Sequence, residues 1–133
     1  MERWLGKYSE LLYSFMRMVI GLSFACHGAQ KLFGMFGAQN QVSDPLLIMA
    51  GIIEFFGGLM TALGLWAGYA AFLASGEMAT AYFSIHMPQG FFPIVNRGEL
   101  AVLYCFIFLY IASKGSGRLS VDALAKRRHP LRK

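Results

Sequence analysis

The sequence predicts an all-α integral membrane protein, a bundle of four helices with both termini in the cytoplasm. Three observations favour this fold class. Of the 133 residues, 56% are hydrophobic and 14% are charged, whereas an ordinary soluble domain has about 25% charged residues. The charges lie mostly outside four apolar segments, and these segments lack the period-two alternation of strands. The chain is therefore too apolar, and its charges too segregated, for a soluble domain.

Each apolar segment is predicted to form one spanning helix within a single domain, residues 1–133. The spans cover about residues 9–30, 45–65, 66–86 and 97–113, and a basic tail follows at 114–133. A helix needs about 20 residues to cross a bilayer, and only the fourth segment is short of that length. Glu54 is the only charged residue between positions 45 and 76, and none occurs between 100 and 113.

Turn-forming residues separate the predicted helices. A polar, glycine-bearing loop covers residues 34–44, and Pro45 opens the second helix. The sequence GLWAG predicts a tight turn around Leu65, and residues 87–96 predict a longer loop. In the tail, Ser120 is expected to cap a short helix.

The distribution of lysine and arginine predicts the orientation in the membrane. Lys31 and Arg97 flank the membrane on one side, and Arg17 lies inside the first span. The remaining nine basic residues lie on the opposite side, at the two ends of the chain: Arg3, Lys7, Lys114, Arg118, Lys126, Arg127, Arg128, Arg132 and Lys133. Basic residues concentrate on the cytoplasmic side, so both termini are predicted there. The net charge of +5 then reflects topology and contact with anionic lipid, not nucleic-acid binding.

Three charged residues lie near the middle of predicted spans: Arg17, Glu54 and Glu77. A charge at a helix centre costs about 2.5–3.5 kcal/mol on insertion scales. Small residues at helical spacing beside both glutamates indicate that the carboxylates face other helices. We expect Arg17 to contact one or both, and the second carboxylate to be neutral or to bind something. The alternative is an ion cluster that only holds the helices together.

A polar stripe is predicted at the outer end of the first helix, where His27, Gln30 and Lys31 lie at helical spacing. Further polar residues lie at the outer ends of the third and fourth helices. Together with the buried charges they form the predicted ligand-binding cluster: Arg17, His27, Gln30, Lys31, Glu54, Glu77, His86, Asn96 and Glu99. Two alternatives are more ordinary: Lys31 and Arg97 could extend to the head groups, and Asn96 could cap the helix that carries Glu99.

The sequence does not favour a haem or a metal ion. His27 and His86 could ligate a haem iron, or a transition metal together with Glu99, but the chain contains no HxxxH, HExxH or CxxCH motif. Cys26 and Cys105 form no CxxC pair, which argues against a thiol oxidoreductase. Both cysteines are expected to pack as small apolar residues.

The polar positions fall in six recognisable pieces. These are Arg17, HGAQKLFG at 27–34, AGIIEFFGGL at 50–59, Glu77, NRGELAVLY at 96–104 and GSGRLSVD at 115–122. In this pattern the chain resembles the DoxX family of small bacterial and archaeal membrane proteins. The resemblance implies a four-helix protein of a prokaryotic inner membrane. One branch of the family is similar to the small membrane subunit of a thiosulfate:quinone oxidoreductase, and other members are linked to redox or oxidative-stress complexes.

The leading functional hypothesis is a redox-associated membrane subunit that binds a quinone or another small ligand in the outer half of the bundle. Buried carboxylates and a histidine would supply the protons that quinone reduction consumes. Its expected partners are the lipid bilayer, redox proteins and a second copy of the chain, and whether it is an enzyme stays open. The alternatives are a transporter or channel for a proton or small polar solute, and a non-catalytic assembly subunit.

Overall fold

Every regular element in the described part of the chain is helical, which confirms the predicted fold class at this level. The computed structural model describes residues 1–37 and 43–128. Residues 38–42 of the predicted outer loop and 129–133 of the predicted tail lie outside this range. The α-helices are α1 (Glu2–Leu5), α2 (Ser9–Phe33), α3 (Pro45–Ile52), α4 (Gly58–Leu63), α5 (Ala67–Ala81), α6 (Pro93–Asn96), α7 (Glu99–Lys114) and α8 (Val121–Arg128), and short 3-10 turns cover Gly6–Tyr8 and Met87–Gln89.

Two π-helical turns continue the long helices. Ile53–Gly57 joins α3 to α4, so that residues 45–63 form one rod, and Tyr82–His86 extends α5. A π turn contains one residue more than an α turn and occurs frequently at functional sites. Glu54 lies in the first of them. The apolar pattern predicts helix in this region but does not reveal the π turn.

Two helical segments are long and apolar enough to span a membrane, Glu2–Phe33 and Pro45–Leu63. They coincide with the first two predicted spans. Residues 67–86 are helical over the third predicted span, and the 16 residues of α7 rise about 24 Å over the fourth. In the described ranges neither of these later segments meets the same test of length and hydropathy, so their crossing of the bilayer stays a prediction.

The two predicted helix starts, at Pro45 and just after Ser120, are confirmed by the hydrogen bonds of their capping residues. Asp44 accepts a hydrogen bond from the backbone N–H of Leu46 at 2.8 Å, and Pro45 is the first residue of α3. Ser120 Oγ accepts a hydrogen bond from the backbone N–H of Ala123 at 3.1 Å, at the start of α8. These side chains satisfy N–H groups that the first helical turn leaves free.

The fourth long helix begins two residues later than predicted. α6 ends at Asn96, and Arg97 adopts a left-handed backbone conformation (φ +57°), which breaks the helix. Gly98 is the residue that precedes α7. The interpretation of Asn96 as an N-cap is therefore wrong: its Oδ1 accepts a hydrogen bond from Gly98 N at 2.8 Å, in a turn before the helix.

The first two long helices pack with their backbones nearly in contact. A Cβ atom at Gly28 would collide with the backbone of Phe55, and one at Gly58 would collide with the backbone of Ala25. Glycine permits this close approach because it has no side chain. The contacts fix the register, and residues 27–31 of α2 lie level with about residues 50–54 of the rod.

The remaining contacts bring α7 back to α2. The 45–63 rod packs on α5, and α5 packs on α7, where Ser75 donates a hydrogen bond to the carbonyl of Cys105 at 2.8 Å. The ring of Phe24 on α2 lies 5.3 Å from that of Tyr104 and 4.6 Å from that of Phe108, both on α7. The core therefore contains aromatic rings between α2 and α7, in contrast to the glycine contact between α2 and the rod.

Candidate functional site

An ion pair between Lys31 and Glu54 forms the centre of the polar cluster. Lys31 Nζ lies 2.6 Å from Glu54 Oε1. The Glu54 side chain is 4% exposed and the Lys31 side chain 29%, so the carboxylate is enclosed by helices while the lysine reaches it from the C-terminal end of α2. The short distance is that of a charge-assisted hydrogen bond. The structure thus brings two of the predicted residues into contact.

Close helix packing creates the space for this pair. A Cβ atom at Gly51 would lie 3.2 Å from Lys31 Cβ and 3.0 Å from Leu32 Cγ. Glycine at this position therefore lets the Lys31 side chain pass along the surface of the rod. Because the register sets residues 27–31 beside residues 50–54, the sequence pieces at 27–34 and 50–59 face each other.

Glu77 is the second carboxylate of the cluster. Both of its oxygens are buried and have no hydrogen-bond partner among residues 1–37 and 43–128, and the same holds for Glu54 Oε2. Glu77 interacts electrostatically with Glu54 and with Lys31. Buried polar atoms in proteins are nearly always hydrogen-bonded. These three carboxylate oxygens are therefore the atoms at which a proton or a hydrogen-bond donor would bind.

His27 and Tyr104 lie on the α7 side of the cluster. Their ring centroids are 6.0 Å apart and the rings are nearly perpendicular. The Tyr104 side chain interacts with Ser23 and, electrostatically, with Glu54. Gln30, on the same end of α2 as His27, is half-buried.

Tyr104 and Ser23 are neighbours of the cluster that the sequence pattern did not predict. The available signal was a tyrosine inside the uncharged stretch 100–113. A buried tyrosine usually finds a hydrogen-bond partner for its hydroxyl group, so this residue pointed to a polar environment. Which helix supplies that environment depends on packing, which the sequence pattern does not contain.

His86 and Asn96 belong to a separate group that holds the loop between α5 and α7. Asn96 Nδ2 donates a hydrogen bond to the carbonyl of Gly90 at 2.6 Å, and His86 Nδ1 lies 3.1 Å from the carbonyl oxygen of Asn96. Asn96 is 2% exposed, and Glu99 is exposed at the start of α7. The structure does not bring these three residues into contact with the Lys31–Glu54 pair.

The prediction that Arg17 contacts Glu54 or Glu77 is wrong. The Arg17 side chain is completely buried, and its guanidinium donates hydrogen bonds to the carbonyls of Thr61, Ala62 and Leu119. The α4 helix ends at Leu63, and a helix end leaves carbonyl groups without partners. Basic side chains are favoured there.

Position along the helix explains why Arg17 does not reach the glutamates. Glu54 lies level with about residue 27 of α2, and ten residues of helix rise about 15 Å. The charge pattern placed all three groups near mid-membrane, but it did not account for the carbonyl groups at the end of α4. Arg17 therefore has a structural role at the C-terminal end of α4, away from the Lys31–Glu54 pair.

The same end of the molecule holds the sequence GSGRLSVD. Asp122 accepts a hydrogen bond from the backbone N–H of Trp66 at 2.9 Å, and its own N–H donates to the carbonyl of Gly64 at 3.2 Å. Ser116 Oγ donates to the Asp122 carboxylate. This piece of the family pattern therefore ties the tail to the turn between α4 and α5.

The described residues include no group of three or more histidine, cysteine, aspartate or glutamate side chains that could hold a metal ion. His27 faces Tyr104, whereas His86 contacts the loop at Asn96. The alternative metal set of His27, His86 and Glu99 is therefore not assembled in this structure.

Comparison with known proteins agrees with the sequence motifs. The DoxX family model matches residues 12–87. A Haemophilus influenzae protein described as "Uncharacterized protein" is 42% identical over 125 residues, which cover 89% of this chain and 93% of that protein. A second protein of the same organism and description is 24% identical over 91 residues; these cover 68% of this chain and 52% of the relative, so the chain spans about half of that protein's length. No solved structure matches the chain significantly.

Proposed function

The chain belongs to the DoxX family, and we propose that it binds a membrane-soluble ligand with a polar head, such as a quinone, at Lys31, Glu54 and Glu77. In this proposal, four helices cross the inner membrane of a prokaryote and both termini face the cytoplasm. The observation that carries the proposal is the set of three buried carboxylate oxygens without a partner in the described residues, beside a single ammonium group.

The chemistry of a quinone suits this set of groups. A quinone carbonyl oxygen accepts hydrogen bonds, which the Lys31 ammonium or a protonated carboxylic acid can donate. Reduction of a quinone consumes protons, and a carboxyl group within reach can deliver one. The electrons would come from a redox partner protein, since the residues named here only bind, orient and transfer protons.

The proposed orientation places the cluster in the outer half of the membrane. The start of α2, the turn between α4 and α5, and the segment 115–122 meet at one end, through the contacts of Arg17 and Asp122. The sequence places nine basic residues at the two chain termini, and such residues favour the cytoplasmic side. The Lys31–Glu54 pair lies toward the other end, with access from the outer leaflet.

Ligand binding is tested with the purified full-length protein in detergent. A short-chain quinone is titrated and binding is measured by calorimetry, in the wild type, in Lys31→Met and in Glu77→Gln. Loss of the charged Lys31 donor should weaken binding by about tenfold or more. Glu77→Gln replaces a carboxylic acid by an amide, which keeps a hydrogen-bond donor but has no transferable proton, and should weaken binding less. The matched control is Glu2→Gln, which makes the same chemical change at an exposed residue outside the cluster.

The result that contradicts the proposal is equal quinone affinity in all four proteins, or no measurable binding in any. Proton flux into liposomes distinguishes the transport alternative. Flux that requires Glu77 in the absence of quinone would favour a proton pathway over a quinone site. Absence of both quinone binding and flux would leave the cluster a structural role in assembly.

A further inference from the structure

A second polar feature lies at the opposite end of the molecule, where the tail returns to α2. A groove of about 190 Å³ is lined by Glu10 and Leu11 of α2, Arg118 and Leu119 of the segment after α7, and Arg127 of α8. The groove shares no residue with the Lys31–Glu54 cluster, so its function does not depend on the function proposed above.

The charges on this groove are unbalanced. Glu10 already forms an ion pair with Lys114, at 2.9 Å between Oε1 and Nζ. In the described ranges no carboxylate lies within 4 Å of Arg118 or Arg127, and both arginines are exposed. Two guanidinium groups without an acidic partner therefore face one groove. Guanidinium groups bind phosphate oxygens through paired hydrogen bonds.

The floor of the groove is apolar and continues along α2. Leu11 and Leu119 are 42% and 53% exposed. Leu11, Phe15 and Val19 follow at intervals of four residues, so they share one face of the helix, and each is exposed. An acyl chain can lie along this face while its head group stays at the groove.

Hydrogen bonds fix the backbone of the loop on both sides of Arg118. The carbonyl of Leu119, next to Arg118, accepts a hydrogen bond from Arg17 at 2.6 Å. Ser120 donates a hydrogen bond to the carbonyl of Gly117 at 2.8 Å. A fixed backbone reduces the conformational entropy that binding would otherwise cost.

We propose that this groove is a binding site for an anionic phospholipid of the cytoplasmic leaflet. The phosphate contacts Arg118 and Arg127, and one acyl chain lies on the Leu11–Val19 face of α2. Charge complementarity selects an anionic lipid over a zwitterionic one, because the choline group of the latter would meet the same guanidinium groups. Juxtamembrane basic residues bind anionic lipid in general, but here two of them are arranged around an apolar groove.

The test uses full-length protein in detergent, titrated with phosphatidylglycerol or with phosphatidylcholine of the same acyl chains. Bound lipid is counted by native mass spectrometry. The variant Arg118→Gln/Arg127→Gln removes both guanidinium groups. The matched control, Arg3→Gln/Lys7→Gln, removes the same charge from exposed residues at the same end but outside the groove. A third variant, Arg118→Lys/Arg127→Lys, keeps the charge.

We expect the groove variant to lose about 10–30-fold in phosphatidylglycerol affinity, since each basic side chain near an anionic surface contributes about fivefold. The control variant should lose less than half of that factor, and the lysine variant should stay between the wild type and the glutamine variant. Equal losses in the groove and control variants would overturn the proposal, because the attraction would then be general. Equal binding of the two lipids to the wild type would overturn it as well.

Discussion

Lys31 and Glu54 form a 2.6 Å ion pair across the contact between α2 and the π turn of the facing rod. The pair uses one oxygen of Glu54 and leaves the other buried without a partner in the described residues, and Glu77 interacts electrostatically with Glu54. One ammonium group therefore offsets the charge of two carboxyl groups, and the charge that each of them can carry depends on Lys31. This relationship makes Lys31 the residue whose removal has the clearest consequence.

Lys31→Met should lower the free energy of unfolding by about 2 kcal/mol, between the values typical of exposed and of buried pairs. The lysine is partly exposed, which reduces the effect below that of a fully buried pair. Changing Glu54 to Gln in the same chain should recover part of the loss, because the buried carboxylate is then neutral. Unfolding by denaturing detergent measures both values. If the double variant is as unstable as the sum of the single variants, the two residues are not coupled.

Arg17→Leu should destabilise the protein by about 3 kcal/mol or more, because carbonyl groups of Thr61, Ala62 and Leu119 lose a charged donor. Arg17→Lys should retain part of the stability. Adding Glu54→Gln to Arg17→Leu should give no rescue, since the two sites are about 15 Å apart along the helix. If Glu54→Gln did rescue the stability of Arg17→Leu, the two side chains would be coupled, as the sequence predicted.

The pair of Lys114 and Glu10 should show a characteristic dependence on alkaline pH. Lys114 follows the fourth predicted span, and its hydrogen bond to Glu10 raises the pKa of the ammonium group above its ordinary value. A raised pKa in the folded state means that the pair stabilises the protein fully below the ordinary lysine pKa. That contribution is lost as the pH rises through the pKa of the folded state. The thermal midpoint of the wild type should therefore exceed that of Lys114→Met near neutral pH and approach it as the pH rises through the raised pKa of Lys114. A constant difference at all pH values would contradict this assignment.

The orientation of the chain is tested with single cysteines, in a background where Cys26 and Cys105 are changed to alanine. Gln89 lies in the loop after α5 and Lys126 in α8, and both are exposed. A membrane-impermeant thiol reagent added to intact cells should label a cysteine at Gln89 and not one at Lys126. Labelling of only the second position would reverse the orientation, and labelling of both would contradict the single span predicted between Gln89 and Lys126.

Much of the fold was predictable because hydropathy and capping residues act locally. The apolar segments became helices, and Asp44, Pro45 and Ser120 mark helix starts. The boundary at Arg97 was not predictable, because a left-handed conformation at a non-glycine residue depends on the turn around it. Arg97 therefore shows the limit of reading helix ends from residue type alone.

The sequence predicted which residues belong to the candidate site, but only partly which of them contact each other. Glu54 and Glu77 were identified because charged groups are rare in apolar segments. Arg17 was predicted to be their partner because all three residues were expected near the middle of the membrane. The close contacts at Gly28 and Gly51 instead set a helix register that brings Lys31 to Glu54. Register between helices arises from side-chain shape across the interface, and a single sequence does not display it.

Of the two buried carboxylates, Glu77 is the one expected to carry a proton. Glu54 is paired with Lys31, while both oxygens of Glu77 are buried and have no partner in the described residues. A second negative charge next to Glu54 is unfavourable in a medium of low polarity. We therefore expect Glu77 to be a neutral carboxylic acid near pH 7 in the ligand-free protein. In that state it can donate the hydrogen bond that a ligand carbonyl accepts.

Infrared difference spectroscopy detects the carbonyl stretch of a protonated carboxylic acid. The band should be present in the wild type, lost in Glu77→Gln and retained in the control Glu2→Gln. Lys31→Met should strengthen it, because Glu54 then loses its cation and competes for a proton. A band that survives Glu77→Gln would assign the proton to Glu54. The absence of any band in the wild type would mean that both carboxylates are ionised, and Glu77 could then not donate a proton to the ligand.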